Sequence, residues 1–245
     1  MKNAEEYKDE YRIRAYDTSP DGKAGVSALL RMLEDIAGAH AILRGAGVPD
    51  LLEQGITWVL SRIEVKFYRR PGMGERLIGE TWPREAKGLK ACREFRFTDQ
   101  EGNLVMEGAS IWLVIDLEKR RPVRVTTCMD KFTLREEMVF EKEPGKLTFQ
   151  SPPASEEKIK VPYSALDMND HVNNIYYVTR AMDSIPDILR TNREIERISL
   201  NYIAECFKGD SLSVGSSMEE GTLNQTVYRG DEEVCKIQSL WKDRM

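Results

Sequence analysis

The chain has 245 residues, 41% hydrophobic and 31% charged, with a formal net charge of −5. That length suits one large domain or two small ones with a real core. The acidic balance argues against general nucleic-acid binding, which needs a basic footprint, and the apolar runs are far too short to span a bilayer.

In chain order, Met1 to Lys8 carries acids and no apolar run of the leader-peptide kind, so the expected address is the cytoplasm. Val26, Leu29, Leu30, Leu33, Ile36 and Ala37 then recur at helical spacing. His40, amid small residues, reads as a structural histidine of that helix. The Gly/Pro stretch from Leu43 to Asp50 reads as a loop. Arg62 to Phe67 alternates apolar and polar residues, meets a turn at Gly74-Glu75, and resumes an apolar pattern: strand, turn, strand. Arg93 to Phe97 and Val105 to Val114 are strands around a turn at Asp99 to Asn103. Basic residues gather at Arg69-Arg70 and at Lys119-Arg120-Arg121 with Arg124; each group is either solvated loop charge or a docking patch for an acidic partner.

Lys142 to Lys158, rich in Glu, Lys, Pro and Ser, reads as a linker. The spacing of Val172, Ile175, Tyr176, Met182 and Ile185 predicts a second helix over Val172 to Leu189, roughly 27 Å long and buried on most of its circumference. Strands follow at Arg197 to Tyr202, Leu223 to Tyr228 and Val234 to Trp241.

The two halves repeat. Arg62 to Phe67 aligns with Arg197 to Tyr202 at an offset of 135, which holds through the Gly-acid turn. Upstream, Asp21 pairs with Asp167 and Val26 with Val172 at an offset of 146. Each half is a helix followed by antiparallel strands, an α+β fold, with Trp112 and Trp241 near the ends of equivalent final strands.

Asp167-Met168-Asn169-Asp170-His171-Val172-Asn173-Asn174 is the stretch that carries chemistry. An acid, an amide and one of only two histidines sit within five residues, just before a helix start. Asn169 and His171 can donate to a polarised carbonyl, and N–H groups at the helix start carry partial positive charge. Asp167 orients its neighbours or caps the helix. Asn173 and Asn174 read as cap and first-turn residues. Glu205, beside Ile203 and Phe207, is a base toward water that partial desolvation would strengthen. Cys206 could instead be a nucleophile with His171 as its base. Strand alternation puts Glu205 and Cys206 on opposite faces, so only one can serve unless the strand bulges. In the first half, Lys23, Gly25, Arg70 and Pro71 align with Asn169, His171, Glu205 and Cys206; one active site per chain is expected. Cys92, Cys128, Cys206 and Cys235 lack CxxC spacing, so no metal site or disulfide framework is expected.

Thr57-Trp58-Val59-Leu60-Ser61-Arg62, Gly79-Glu80-Thr81-Trp82, Leu166 to Asn174, and Asn201-Tyr202-Ile203-Ala204-Glu205-Cys206 together resemble the acyl-ACP thioesterase family. The resemblance covers nearly the whole chain after about residue 10. It implies a double hotdog, two tandem repeats each with a helix wrapped by an antiparallel sheet: an N-terminal repeat over 1–141 shaping the acyl-chain pocket, a linker over 142–158, and a C-terminal repeat over 159–245 with the catalytic residues. It implies hydrolysis of fatty acyl thioesters on acyl carrier protein to free fatty acid. Asp167, Asn169, His171 and Glu205 would be catalytic, with Cys206 a rival nucleophile. Trp58, Trp82, Asn173 and Asn174 become candidate substrate-binding residues, and Arg69 and Arg70 candidate carrier-docking residues. No cofactor is expected, since the substrate brings its own phosphopantetheine. The chain would be a monomer or homodimer. An acyl-CoA thioesterase, a hotdog hydratase and a non-catalytic acyl-binding module are the rival readings.

Overall fold

The computed structural model describes residues 6–244; residues 1–5, where the expectation about a leader peptide falls, and residue 245 lie outside it. The chain divides into two compact units, Met1–Gly145 and Lys146–Met245.

The first unit runs β1 (Tyr7–Arg12), α1 (Val26–Leu43), α2 (Val48–Leu52), β2 (Ile56–Phe67), β3 (Arg76–Lys87), β4 (Lys90–Asp99), β5 (Leu104–Asp116), β6 (Arg121–Val123) and α3 (Thr126–Met129). Its strands pair antiparallel in the order β1-β3-β4-β5-β2, with β6 on the end of β5. The apolar stripe that predicts α1 is its buried face: Leu29, Leu33 and Ile36 are wholly covered. The helix lies against β1 and β3, so burial of that stripe stabilises both elements together.

The second unit runs β7 (Ile159–Lys160), α4 (Asn174–Asp183), α5 (Asp187–Asn192), β8 (Arg193–Tyr202), β9 (Ser211–Glu219), β10 (Thr222–Arg229) and β11 (Glu232–Asp243). The order is β8-β11-β10-β9-β7, again antiparallel throughout. Helix α4 sits against β10 and β11.

Here the structure corrects the expected helix. It spans ten residues, not the whole of Val172 to Leu189, and buries one face through Ile175, Tyr177, Val178 and Ala181. Pro186 disfavours helical backbone at the residue before it. Ser184 Oγ and Gln225 Nε2 both donate to the carbonyl of Ala181 (2.9 and 2.8 Å), which gives the C-terminal turn partners it could not find within the helix. The apolar periodicity simply continues across the break into α5.

The segment over 146–158 has no regular secondary structure, yet it is tied to the second unit. Leu147 N–H donates to Asn201 Oδ1 (2.7 Å), Lys236 Nζ to Phe149 O (3.2 Å) and Tyr228 Oη to Pro152 O (2.6 Å). Gly215 of β9 makes room for it: a Cβ there would stand 2.4 Å from the carbonyl oxygens of Pro152 and Pro153.

The units share local architecture, but at a different offset from the one the apolar pattern suggests. The short bridge Thr18–Ala24 recurs as Leu166–Val172 and Lys23–Gly72 as His171–Phe207. The cap Gly25 recurs as Asn173. Before the helix the offset is therefore 148 (Thr18 to Leu166), not 146. Val26 opens α1, whereas Val172 precedes the cap of α4 and corresponds to Ala24. The offset of 135 stands for the later segment: Ala24 N–H donates to Pro71 O and Val172 N–H to Cys206 O, each at 2.8 Å. Even Trp112 and Trp241 correspond, each indole donating to the serine two residues earlier at 2.8 Å.

Candidate active site

Two short segments of the second unit build the site. The first is the loop ahead of α4. Asp167 accepts hydrogen bonds through Oδ1 from the N–H groups of Asn169 (2.8 Å) and His171 (3.2 Å), the local turn that a short acid favours. Asp167 N–H in turn donates to His171 O (2.8 Å). Asp170 closes the turn in the left-handed region at φ 59°. Asp167 thus orders the loop; the helix cap is Asn173, whose side chain accepts from Ile175 N–H (2.9 Å). Asn174 opens the helix, and its carbonyl accepts from Tyr202 Oη (3.4 Å).

The second segment follows β8. Ile203 and Ala204 N–H groups both converge on Val234 O (2.9 and 3.3 Å), so the regular ladder stops at Tyr202. The Val172–Cys206 backbone bond then fixes which way each side chain points. Glu205 faces the loop: its Oε1 lies 3.5 Å from His171 Nδ1. That is long for a direct hydrogen bond. Both side chains reach solvent, 21% and 34% exposed for His171 and Glu205. The Phe207 ring packs nearly perpendicular to the imidazole, centroids 5.2 Å apart. Cys206 points the other way. It is wholly buried and shares a hydrogen bond with the Tyr177 hydroxyl; burial is the largest influence on its thiol and pushes it up. A thiol so placed supplies little nucleophilic thiolate.

The first unit has the same frame and different side chains. At the structural offset, Ser19, Asp21 and Lys23 stand where Asp167, Asn169 and His171 stand, which corrects the pairing of His171 with Gly25 and of Asn169 with Lys23. Arg70 takes the place of Glu205. Its guanidinium pairs with Asp21 and donates to Ala24 O (3.2 Å). A guanidinium locked to an acid cannot take a proton from water.

The acyl-ACP thioesterase N-terminal domain matches residues 4–131, and the acyl-ACP thioesterase C-terminal domain matches residues 150–243. The chain belongs to the acyl-ACP thioesterase family. A crystal structure of an acyl-ACP thioesterase from Bacteroides thetaiotaomicron is 27% identical, with a TM-score of 0.89 over 97% of this chain and 98% of that one. The 12:0-ACP thioesterase from Umbellularia californica shares the fold, with a TM-score of 0.86 at 21% identity over 98% of both chains. The chloroplastic palmitoyl-acyl carrier protein thioesterase of Gossypium hirsutum is 24% identical over 92% of this chain, which spans 58% of that relative's length.

The other residues singled out from this family's motifs lie in the first unit. Trp58 packs against the cluster of Ala41, Leu51 and Phe132, and its indole donates to Ala46 O (2.9 Å). Trp82 is wholly buried on the sheet face away from α1; its indole donates to Glu137 O (2.9 Å) and its ring lies under the Arg135 guanidinium, 4.3 Å away. Arg69 is paired with Glu75 and Asp99 at 2.7 and 3.1 Å. Arg69 and Arg70 therefore brace their own unit. His40 is structural, its Nδ1 3.1 Å from Arg93 Nη1. Among the described residues the one trio close enough to hold a metal ion is Glu85, Cys92 and Glu143, and Lys90 and Arg84 already pair with Glu143 at 2.6 Å each. The sequence reading missed Arg229, which donates to Glu205 O at 2.8 Å. Such a contact joins residues 24 apart with no local motif to announce it.

Proposed function

We propose that the chain hydrolyses fatty acyl thioesters carried on acyl carrier protein, releasing free fatty acid. The observation that carries the reading is the approach of Glu205 to His171 at a solvent-accessible place, on a loop whose counterpart in the first unit holds an ion pair.

In this scheme Glu205 takes a proton from a water as its oxygen attacks the thioester carbon. The side chains of Asn169 and His171, with N–H groups at the start of α4, receive the developing oxyanion. Collapse breaks the C–S bond, and the proton held by Glu205 or His171 goes to the departing thiolate. A general base contributes roughly a hundred- to ten-thousand-fold and one oxyanion donor on the order of 3 kcal/mol. Asp167 holds the loop that presents both donors. Water and these side chains balance the reaction, so no cofactor is invoked. The burial of Cys206 supports direct attack by water over an acyl-enzyme. The two units are read as tandem hotdog copies, one chemically active. Four free thiols suit a reducing compartment such as the cytoplasm, and no helix among the described residues is long and apolar enough to cross a membrane.

The test is thiol release from a series of acyl-ACPs and acyl-CoAs of several chain lengths. Turnover on acyl-ACP is expected. Turnover on acyl-CoA alone would move the carrier, and silence on both series would leave a binding module and end the reading.

A further inference from the structure

A charged clamp lies behind the segment that carries Glu205. Arg229, the last residue of β10, donates through Nη1 to the backbone carbonyl of Glu205 at 2.8 Å and reaches Asp210 Oδ2 at 3.3 Å. Its Nε and Nη2 bond Glu232 Oε2 at 3.2 and 2.5 Å. Asp210 Oδ2 also accepts the N–H of Phe207 at 2.9 Å. The residues on either side of Cys206 are thus held from one cluster, Glu205 by its carbonyl and Phe207 by its amide. Both then meet His171, one through its carboxylate and one through its ring.

The first unit shows that this is not merely how the fold closes a strand end. There Asp99 stands where Arg229 stands, since Leu77 pairs with Asp99 as Leu212 pairs with Arg229. Glu75 stands for Asp210: each carboxylate accepts the N–H three residues back, Gly72 at 2.8 Å and Phe207 at 2.9 Å. The guanidinium there belongs to Arg69, the counterpart of Ala204, and bonds Glu75 and Asp99. The cation has moved: in the first unit it rides on the segment, in the second it comes from the neighbouring strand and grips the segment's backbone. A guanidinium with several donors in one plane suits that job better than a single ammonium.

We propose that Arg229 is a positioning residue for the hydrolysis, fixing the direction in which Glu205 presents its carboxylate to His171. The inference rests on the thioesterase reading. Misplacing a catalytic group by about 1 Å costs on the order of a hundredfold in rate.

The experiment measures kcat and KM for thiol release from acyl-ACP by the full chain, for the wild type, Arg229→Ala, Arg229→Lys, Glu205→Gln and the double variant Arg229→Ala/Glu205→Gln, with a thermal melt of each. Arg229→Ala is expected to lower kcat about 30- to 100-fold with KM within about threefold, and Arg229→Lys to recover part of the loss. In the Glu205→Gln background, Arg229→Ala should cost little more, because both act through one carboxylate. An equal further loss in that background would overturn the proposal, as would an Arg229→Ala enzyme with wild-type kcat. If Arg229→Ala does not fold, Arg229→Lys decides on the same criteria, alone and with Glu205→Gln. A wild type that turns over while only Glu205→Gln fails sinks this inference alone; a silent wild type sinks the reading beneath it as well.

Discussion

Ahead of α1 the chain turns through Ser19 to Lys23 with Gly22 at φ 74°; ahead of α4 it turns through Asp167 to His171 with Asp170 at φ 59°. In both loops the first residue's N–H donates to the carbonyl of the last at 2.8 Å, and the fourth's N–H to the carbonyl of the first. The backbone is the same object twice. What differs is what hangs from it: Lys23, Asp21 and Arg70 in one unit, His171, Asn169 and Glu205 in the other. The frame is held by main-chain bonds that hardly depend on side-chain identity, so one copy can hold an ion pair while the other holds an imidazole, an amide and a carboxylate.

The largest contrast should come from truncating the two equivalent residues, Glu205 and Arg70. Glu205→Ala is expected to lower kcat by roughly a hundred- to ten-thousand-fold with the melting temperature little changed. Arg70→Ala, its counterpart, should leave kcat within a few-fold and destabilise the chain by about 1 kcal/mol or less, because the pair it loses with Asp21 is exposed. Steady-state kinetics and denaturant melts on the pair check this; loss of turnover in Arg70→Ala would break the assignment of chemistry to one unit.

A second contrast is acid sensitivity. His40 is held down to about 3, first by burial, then by the Arg93 and Arg44 charges. Its unfolded value is near 6.5, so between about 3 and 6.5 the unfolded state binds the extra proton. The stability His40 confers is complete above pH 6.5 and erodes as pH falls toward 3. The first unit should therefore lose amide protection first on acidification, and His40→Gln should flatten that loss; equal protection of the two units at pH 4 would count against it.

Cys206→Ala sharpens the mechanism. It should retain kcat within about threefold and cost on the order of 1 kcal/mol of stability, the usual size for a modest core truncation. Abolished turnover would restore the acyl-enzyme scheme. Smallest of all, Asp170→Gly makes the second loop's turn residue match Gly22. It should raise stability by up to about 1 kcal/mol, since a residue with a Cβ carries a cost at positive φ that glycine does not.

The strands and turns were legible in the sequence because two-residue alternation and the Gly-acid turns are local. The ends of α4 were not, because Val172, just ahead of the Asn173 cap, and Ile185, just ahead of Pro186, both fit the helical stripe although neither is in the helix. The residues of the site were readable as a set, being one motif plus Glu205. Their geometry was not: whether Glu205 or Cys206 faces His171 depends on the doubled bond to Val234 O and on Val172 gripping Cys206 O, both long-range. The offset of two residues between apparent and actual repeat has the same origin, since side-chain pattern matched Val26 to Val172 while hydrogen bonding matches it to Asn174.

The residues over 146–158 carry a practical consequence. They are the outer skin of the second unit, lying on Gly215 and anchored at Asn201, Tyr228 and Lys236. Recombinant production of that half should begin at Lys146. Starting at Ile159, where the first strand begins, would strip a covering from β9 to β11 and leave a bare surface inviting self-association.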